Sequence, residues 1–428
     1  MRFALAALGA LLILACGDDT TSAGGDAGTG GSTSGDPATT TDDSVSSGTT
    51  TGDSADGTTT DDSADASSTE APPVEDPEFA RDIRLERLTV NQATQVELVV
   101  GGIEVPGEDY NTRVISGRRT LLRGFWSLHA NFEPREILGR LTVDYPDGTQ
   151  FEQDFVQFVD GESSDGAGAS SFQWLLEPDQ VVPGMTYRVR LFEMPGSEAP
   201  GELSDPPPIA PLAGPGMLQL YDVPLQLKVV LVPIQHEFEG CTITPDITDD
   251  DVQALREQLE QNNPVQEALF EVREPMIYTE TIGNGGGFSP ILAALAQTRA
   301  ADNPPANVYY YGLMDPCDGY PPGLLGQAIA IAGPPTMANG QERISTGRWN
   351  GSGAAAAETF VHEVGHTQGR RHVRCSGGEA GIDAAYPHEG GRIGVWGFGI
   401  YDFELRSPSG GRDYMTYCSN EWVSDYSW

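Results

Sequence analysis

Between about residues 78 and 193 the chain alternates apolar and polar positions with a period of two. Leu88-Thr89-Val90, Gln95-Val96-Glu97-Leu98-Val99-Val100, Leu141-Thr142-Val143-Asp144-Tyr145 and Tyr187-Arg188-Val189-Arg190-Leu191 carry the pattern. Turn signals such as Pro146-Asp147-Gly148 and Pro183-Gly184 separate these runs. Short alternating runs at this spacing predict an all-β, sandwich-like domain over residues 79–195. Residues 196–224, with Pro206-Pro207-Pro208, read as a Pro/Gly-rich connector.

From Gln226 the pattern changes. Residues 227–234 are almost continuously apolar, as in a strand buried on both faces. Residues 248–261 predict a helix: Thr248 is an N-cap, acids fill the first turn, and Val252, Leu255 and Leu259 recur at helical spacing. Residues 290–299 predict a second helix, capped by Ser289 with Pro290 at its first position. Strands are expected at 270–278, 308–314 and 328–332, and no internal repeat is visible. The glycine run Gly283-Asn284-Gly285-Gly286-Gly287 reads as a loop: a phosphate-binding G-x-G-x-x-G would need glycine where Phe288 stands.

The first residues carry a different signal. Arg2 precedes an apolar run, residues 3–15, too short to span a bilayer. It ends in Ile13-Leu14-Ala15-Cys16, which looks like a bacterial lipobox. Residues 1–16 are therefore expected to be a lipoprotein signal, with Cys16 acylated and the protein exported to the cell envelope. Residues 17–78 are almost all Gly, Ser, Thr, Asp and Ala, with acids and no basic residue. They cannot bury apolar area and read as a disordered linker.

Composition narrows the partners. Of 428 residues, 63 are acidic and 24 basic, a net charge of −39. Such a chain repels phosphate backbones, so no nucleic-acid partner is expected. Membrane contact is expected only through lipid at Cys16, and the chain is read as a monomer. After Cys16, Cys241, Cys317, Cys375 and Cys418 remain. An even number in an exported chain suggests two disulfides, and no C-x-x-C pair suggests a thiolate metal site.

The chemistry concentrates in residues 362–372, H-E-V-G-H-T-Q-G-R-R-H. Four alanines upstream, Ala354 to Ala357, favour a helix leading into the string. On that helix His362 and His366 are offset by about 40° and separated by roughly 6 Å along the axis, so both project from one face. Gly369 tolerates the left-handed turn that ends a helix, and the reversed chain returns His372 as a third ligand. Three protein ligands with an open fourth position describe a catalytic Zn2+ site. Glu363, beside His362, is placed to act as general base on a metal-bound water.

This string matches the H-E-x-x-H-x-x-G-x-x-H pattern of metzincin zinc peptidases at each fixed position, and the chain resembles that family over residues 225–428. Downstream, Asp413-Tyr414-Met415-Thr416-Tyr417-Cys418 is similar to their methionine-containing turn. Met415 takes the methionine position. Tyr417 matches a tyrosine found in the astacin-like and serralysin-like branches. The resemblance implies an α+β metzincin-like catalytic domain, a mixed twisted sheet with an active-site helix, preceded by the all-β domain and the linker. It implies Tyr417 as a second catalytic residue, able to ligate zinc at rest or to donate to the oxyanion. It implies the disulfides Cys375–Cys418 and Cys241–Cys317, and a short final helix around Trp422, Val423, Tyr426 and Trp428. No cysteine-switch-like propeptide segment accompanies the motif. The implied function is a zinc endopeptidase acting on extracellular or periplasmic proteins. The alternative is a lipid-anchored binding or adhesion protein whose zinc site is not catalytic.

Overall fold

The computed structural model describes residues 77–166, 170–197, 200–283, 287–331, 333 and 336–428. The export signal with Cys16, the linker up to residue 76, and residues 284–286 of the glycine run lie outside the described residues.

The alternating N-terminal half folds into two antiparallel sheets over one core. The first runs β3 (Ile103–Glu104), β2 (Gln95–Val100), β1 (Ile83–Asn91), β5 (Thr120–Leu128) and β8 (Phe172–Leu176). The second runs β10 (Ile209–Ala210), β9 (Thr186–Glu193), β6 (Arg135–Asp144) and β7 (Gln150–Val159), with β11 (Gly216–Met217) also on β9. The inward-facing positions of both sheets, among them Leu88, Leu98, Leu141, Trp174 and Val189, share a single apolar cluster. That is the arrangement in which each sheet buries one face and leaves the other solvated. Two short strands, β4 (Val114–Ile115) and β12 (Leu220–Tyr221), pair in parallel beside it.

A seven-stranded sheet follows, in the order β14 (Cys241–Ile243), β13 (Gln226–Phe238), β17 (Val308–Met314), β19 (Ile344–Arg348) and β18 (Gly326–Ala328). β15 (Glu267–Val272) and β16 (Met276–Tyr278) also pair with β13, so the run expected at 270–278 is two strands. Only β14 and β18 are antiparallel to their neighbours. The near-continuous apolar character of β13 has a direct cause. Val229 and Leu231 join the cluster beneath α1 (Asp249–Asn262) and α3 (Gly353–Thr367). Val230, Val232 and Ile234 join the cluster beneath α2 (Ser289–Asp302) on the other face. Both faces are dry, so both must be apolar.

α1 begins where its cap residues predicted. The Thr248 hydroxyl accepts from the Asp251 N–H, and Asp251 accepts in return from the Thr248 N–H at 3.0 Å. The other carboxylate oxygen of Asp251 accepts from the Gly353 N–H at 2.7 Å, so one side chain fixes the start of both α1 and α3. The N-cap of α2 is Phe288, one residue before the expected Ser289.

The metzincin-like α+β expectation is corrected. Among the described residues the chain is mostly β, with twenty-three strands in six separate sheets against three α-helices. The expected final helix is absent. Residues 397–422 instead form paired two-residue strands, β20 (Gly397–Phe398) with β21 (Leu405–Arg406), and β22 (Arg412–Asp413) with β23 (Glu421–Trp422). Gly397, Gly399, Gly410 and Gly411 interrupt this stretch, and glycine disfavours helix by about 1 kcal/mol per residue. The side chains that were to form the helix are used singly. Trp422 Nε1 donates to Ala93 O and Trp428 Nε1 to Arg113 O, which ties the C-terminal strands to the N-terminal sheets.

The strongest tie of this kind is Arg118, which is 3 % exposed. Its guanidinium donates to Gln92 O, Val265 O and Glu260 O. Burial holds its pKa down at about 10, so it stays charged and is neutralised by backbone carbonyl dipoles from both halves of the structure. Two disulfides, Cys241–Cys317 and Cys375–Cys418, close loops of the C-terminal half with Cα separations of 5.9 and 6.3 Å. Disulfides are a mark of oxidising, extracellular surroundings. Among the described residues no helix is long and apolar enough to cross a membrane.

Candidate metal centre

α3 starts at Ser352, whose hydroxyl accepts from the Ala355 N–H. Its inner face, Ala356, Ala357, Phe360, Val361 and Val364, packs in the core shared with α1. That packing fixes the rotation of the helix and sends His362 and His366 to the same side. Gly369 follows in the left-handed region at φ 94°, and Arg370 N–H closes the turn on Gly365 O. The chain comes back with His372 completely buried.

The three imidazoles are oriented by one repeated device. His362 Nδ1 contacts Tyr414 O at 2.8 Å, His366 Nδ1 contacts Arg370 O at 2.8 Å, and His372 Nδ1 contacts Ala380 O at 2.5 Å. A carbonyl oxygen only accepts, so each Nδ1 must carry the proton and each Nε2 must present a lone pair. The lone pairs converge: His366 Nε2 lies 3.0 Å from His372 Nε2, and one nitrogen from each of the three rings lies within 4.8 Å of the others. Neutral nitrogens with no proton between them repel at that distance. A shared cation removes the repulsion, and a tetrahedral ion with metal–nitrogen bonds of about 2.0–2.1 Å spaces its ligands by about 3.4 Å.

Electrostatics favours the neutral, metal-binding form of every ring. Burial, with His372 nearby, holds the His362 pKa down at about 3. Burial, with both neighbouring histidines, holds His366 well below its usual value. Burial also lowers His372, against the opposing effect of its bond to Ala380. His362, His366 and His372 can therefore hold a metal ion together, and the backbone carbonyls behind them set their tautomers.

The other expected site residues gather here. Glu363 is fully buried and lines, with His362, a cavity of about 230 Å3. Gly326 on β18 faces it. A Cβ there would fall 2.6 Å from Glu363 Cγ and 2.8 Å from its Oε1, so only glycine lets the strand and the carboxylate approach this closely. The Tyr417 hydroxyl lies 3.0 Å from His372 Nε2 and donates to it, which places the phenol oxygen at the convergence point of the rings. Met415 is fully buried beneath α3. A Cβ on Gly365 would meet its sulfur at 2.7 Å and the Tyr414 ring at 3.1 Å. His388 stays apart from the triad, with Nε2 2.5 Å from Asp425 Oδ1.

Two supports were not evident in the sequence reading. Asp413, with no exposed surface, accepts from Met415 N–H at 2.9 Å, from Ser424 N–H at 3.2 Å and from the Ser424 hydroxyl at 2.5 Å. It locks the turn whose carbonyl at Tyr414 orients His362. Glu379 accepts from the backbone N–H groups of Cys375, Ser376 and Gly377, and so clasps the loop whose carbonyl at Ala380 orients His372. An acid one residue before an aromatic-Met turn was a readable signal for the first. For the second no local pattern was available.

No protein-family model matches the chain, and no curated protein matches it.

Proposed function

We propose that this chain is a zinc-dependent peptidase of the metzincin type by its site, carried on a mostly β fold. The observation that carries the reading is the convergence of three backbone-oriented Nε2 lone pairs beside the buried Glu363. The resemblance of residues 362–372 and of Met415 to metzincin peptidases supports the same chemistry.

When bound, zinc supplies a Lewis acid that brings the pKa of a coordinated water to about 7 and polarises the scissile carbonyl. Glu363 takes the proton of the attacking water, because it is the carboxylate adjoining the ring of His362. It then passes that proton to the leaving amine. The Tyr417 hydroxyl donates to the oxygen that becomes negative, from the point where it now donates to His372. The outer edge of β18 offers backbone groups to an extended substrate, and antiparallel addition there runs the peptide past Glu363. The substrate is a protein or peptide, and the enzyme acts as a monomer. In this reading the protein is an exported lipoprotein held in the cell envelope through Cys16.

Metal analysis tests the reading. The full chain should carry one zinc, and His366→Ala should lose it while remaining folded. Peptide cleavage that persists without zinc, or zinc held equally well without the triad, would contradict it.

A further inference from the structure

The cavity beside His362 and Glu363 measures about 230 Å3. This is below the roughly 300–1,000 Å3 of pockets that enclose a whole small ligand. It has room for one side chain. One wall is α3, which contributes Glu358 and Thr359 a turn before His362 and Glu363. The facing wall is the chain after Met415, from Thr416 to Ser419, and Glu421 on β23. Glu358 is exposed at the mouth and Glu421 is half-buried. No lysine or arginine lines the cavity. His362, 5 % exposed, contributes a buried Nε2 with no hydrogen-bond partner among the described residues, so the cavity contains a polar atom that calls for a ligand.

We infer that this cavity selects a substrate carrying lysine or arginine next to the cleaved bond. The inference rests on the peptidase reading above. A cation at the triad is balanced first by the carboxylate of Glu363, which adjoins it. Glu358 and Glu421 then remain as net negative charge around the space that receives a substrate side chain. The ammonium or guanidinium of a basic residue meets both carboxylates, while its methylene stem lies along Leu325 and Thr359 at the wall. An aspartate or glutamate there meets like charges instead, and an apolar side chain gains nothing from them. The chain's net charge of −39 acts in the same direction at longer range, drawing cationic peptides toward the site.

The experiment is a peptide panel identical except for basic, neutral or acidic residues on either side of one bond, presented to the zinc-loaded full chain. Bonds with lysine or arginine on one fixed side should be cut about tenfold or more faster than their neutral counterparts. Glu358→Gln combined with Glu421→Gln should bring that ratio close to one. Should the double variant fail to fold by circular dichroism, Glu358→Gln alone, on the exposed face of α3, should still lower the ratio. Equal or reversed rates for basic and neutral peptides would overturn the inference. The same panel is also titrated against Glu363→Gln by fluorescence polarisation. If no peptide is cleaved at all, the peptidase reading fails and the binding data decide on the cavity alone. Tighter binding of basic peptides that is lost in the double variant supports its selectivity. Equal affinity across the panel overturns it.

Discussion

His362 Nδ1 donates a 2.8 Å hydrogen bond to the carbonyl oxygen of Tyr414, a residue 52 positions further along the chain. This bond makes the ligand helix and the turn around Met415 a single unit. The side chains that pack between them must therefore fit closely. Gly365 is the point of closest fit. Gly365→Ala would gain up to about 1 kcal/mol of helix propensity. It would also drive a methyl into Met415 and Tyr414, and overpacking of this kind costs about 1–3 kcal/mol. The steric term wins because both neighbours are buried. The variant should melt at a lower temperature than wild type and lose metal more readily on dialysis. A variant as stable as wild type would show that α3 and the turn are not coupled.

Glu363→Gln separates the ligands from the base. The imidazoles and their carbonyl partners stay in place, and only the group that moves protons is changed. Metal content should remain near wild type while peptide hydrolysis falls to background. Activity close to wild type would remove Glu363 from the chemistry.

Tyr417→Phe deletes one hydroxyl and leaves the ring packed between His362 and His372. Loss of a donor to a developing oxyanion typically lowers turnover by about 10²–10³. The effect should fall on kcat, with metal content and melting temperature little changed. Wild-type turnover, or a defect that is only lost metal, would assign the phenol to structure.

Much of the site was legible because its determinants are local. The histidine spacing, the stop at Gly369 and the cap at Thr248 each depend on a few adjacent residues. Residues 308–314 read correctly as a strand because both their faces are buried. The disulfide pairs that the family resemblance implied are the ones present. What the sequence hid is long-range or backbone-mediated. The acceptors for the three imidazoles are main-chain carbonyls, which have no residue signature. The carbonyl partners of Arg118 lie as far as 147 positions away. The final helix was misjudged because an aromatic cluster suggested a helical face. Trp422 and Trp428 instead reach back separately to the N-terminal strands.

The loop at His372 should carry its own pH dependence. Burial alone would raise the carboxyl of Glu379, but the N–H groups of Ser376, Cys375 and Gly377 outweigh it and hold the pKa at about 2, down from 4.5. A depressed carboxyl contributes stability that is present above its unfolded pKa and is lost as pH falls through the folded one. The wild-type melting temperature should therefore fall between about pH 4.5 and 2. In Glu379→Gln that part of the slope should be missing, and stability at pH 7 should already be lower. Parallel melting curves across this window would show that Glu379 does not hold the loop.

The central claim is that His362, His366 and His372 hold a zinc ion at which Glu363 drives peptide hydrolysis. The most direct measurement is cleavage of a proteome-derived peptide library by the purified chain as isolated, after chelation, and after zinc is restored. The account predicts cleavage that disappears with the chelator and returns with zinc. Cleavage indifferent to the chelator, or none in any of the three states, would contradict it.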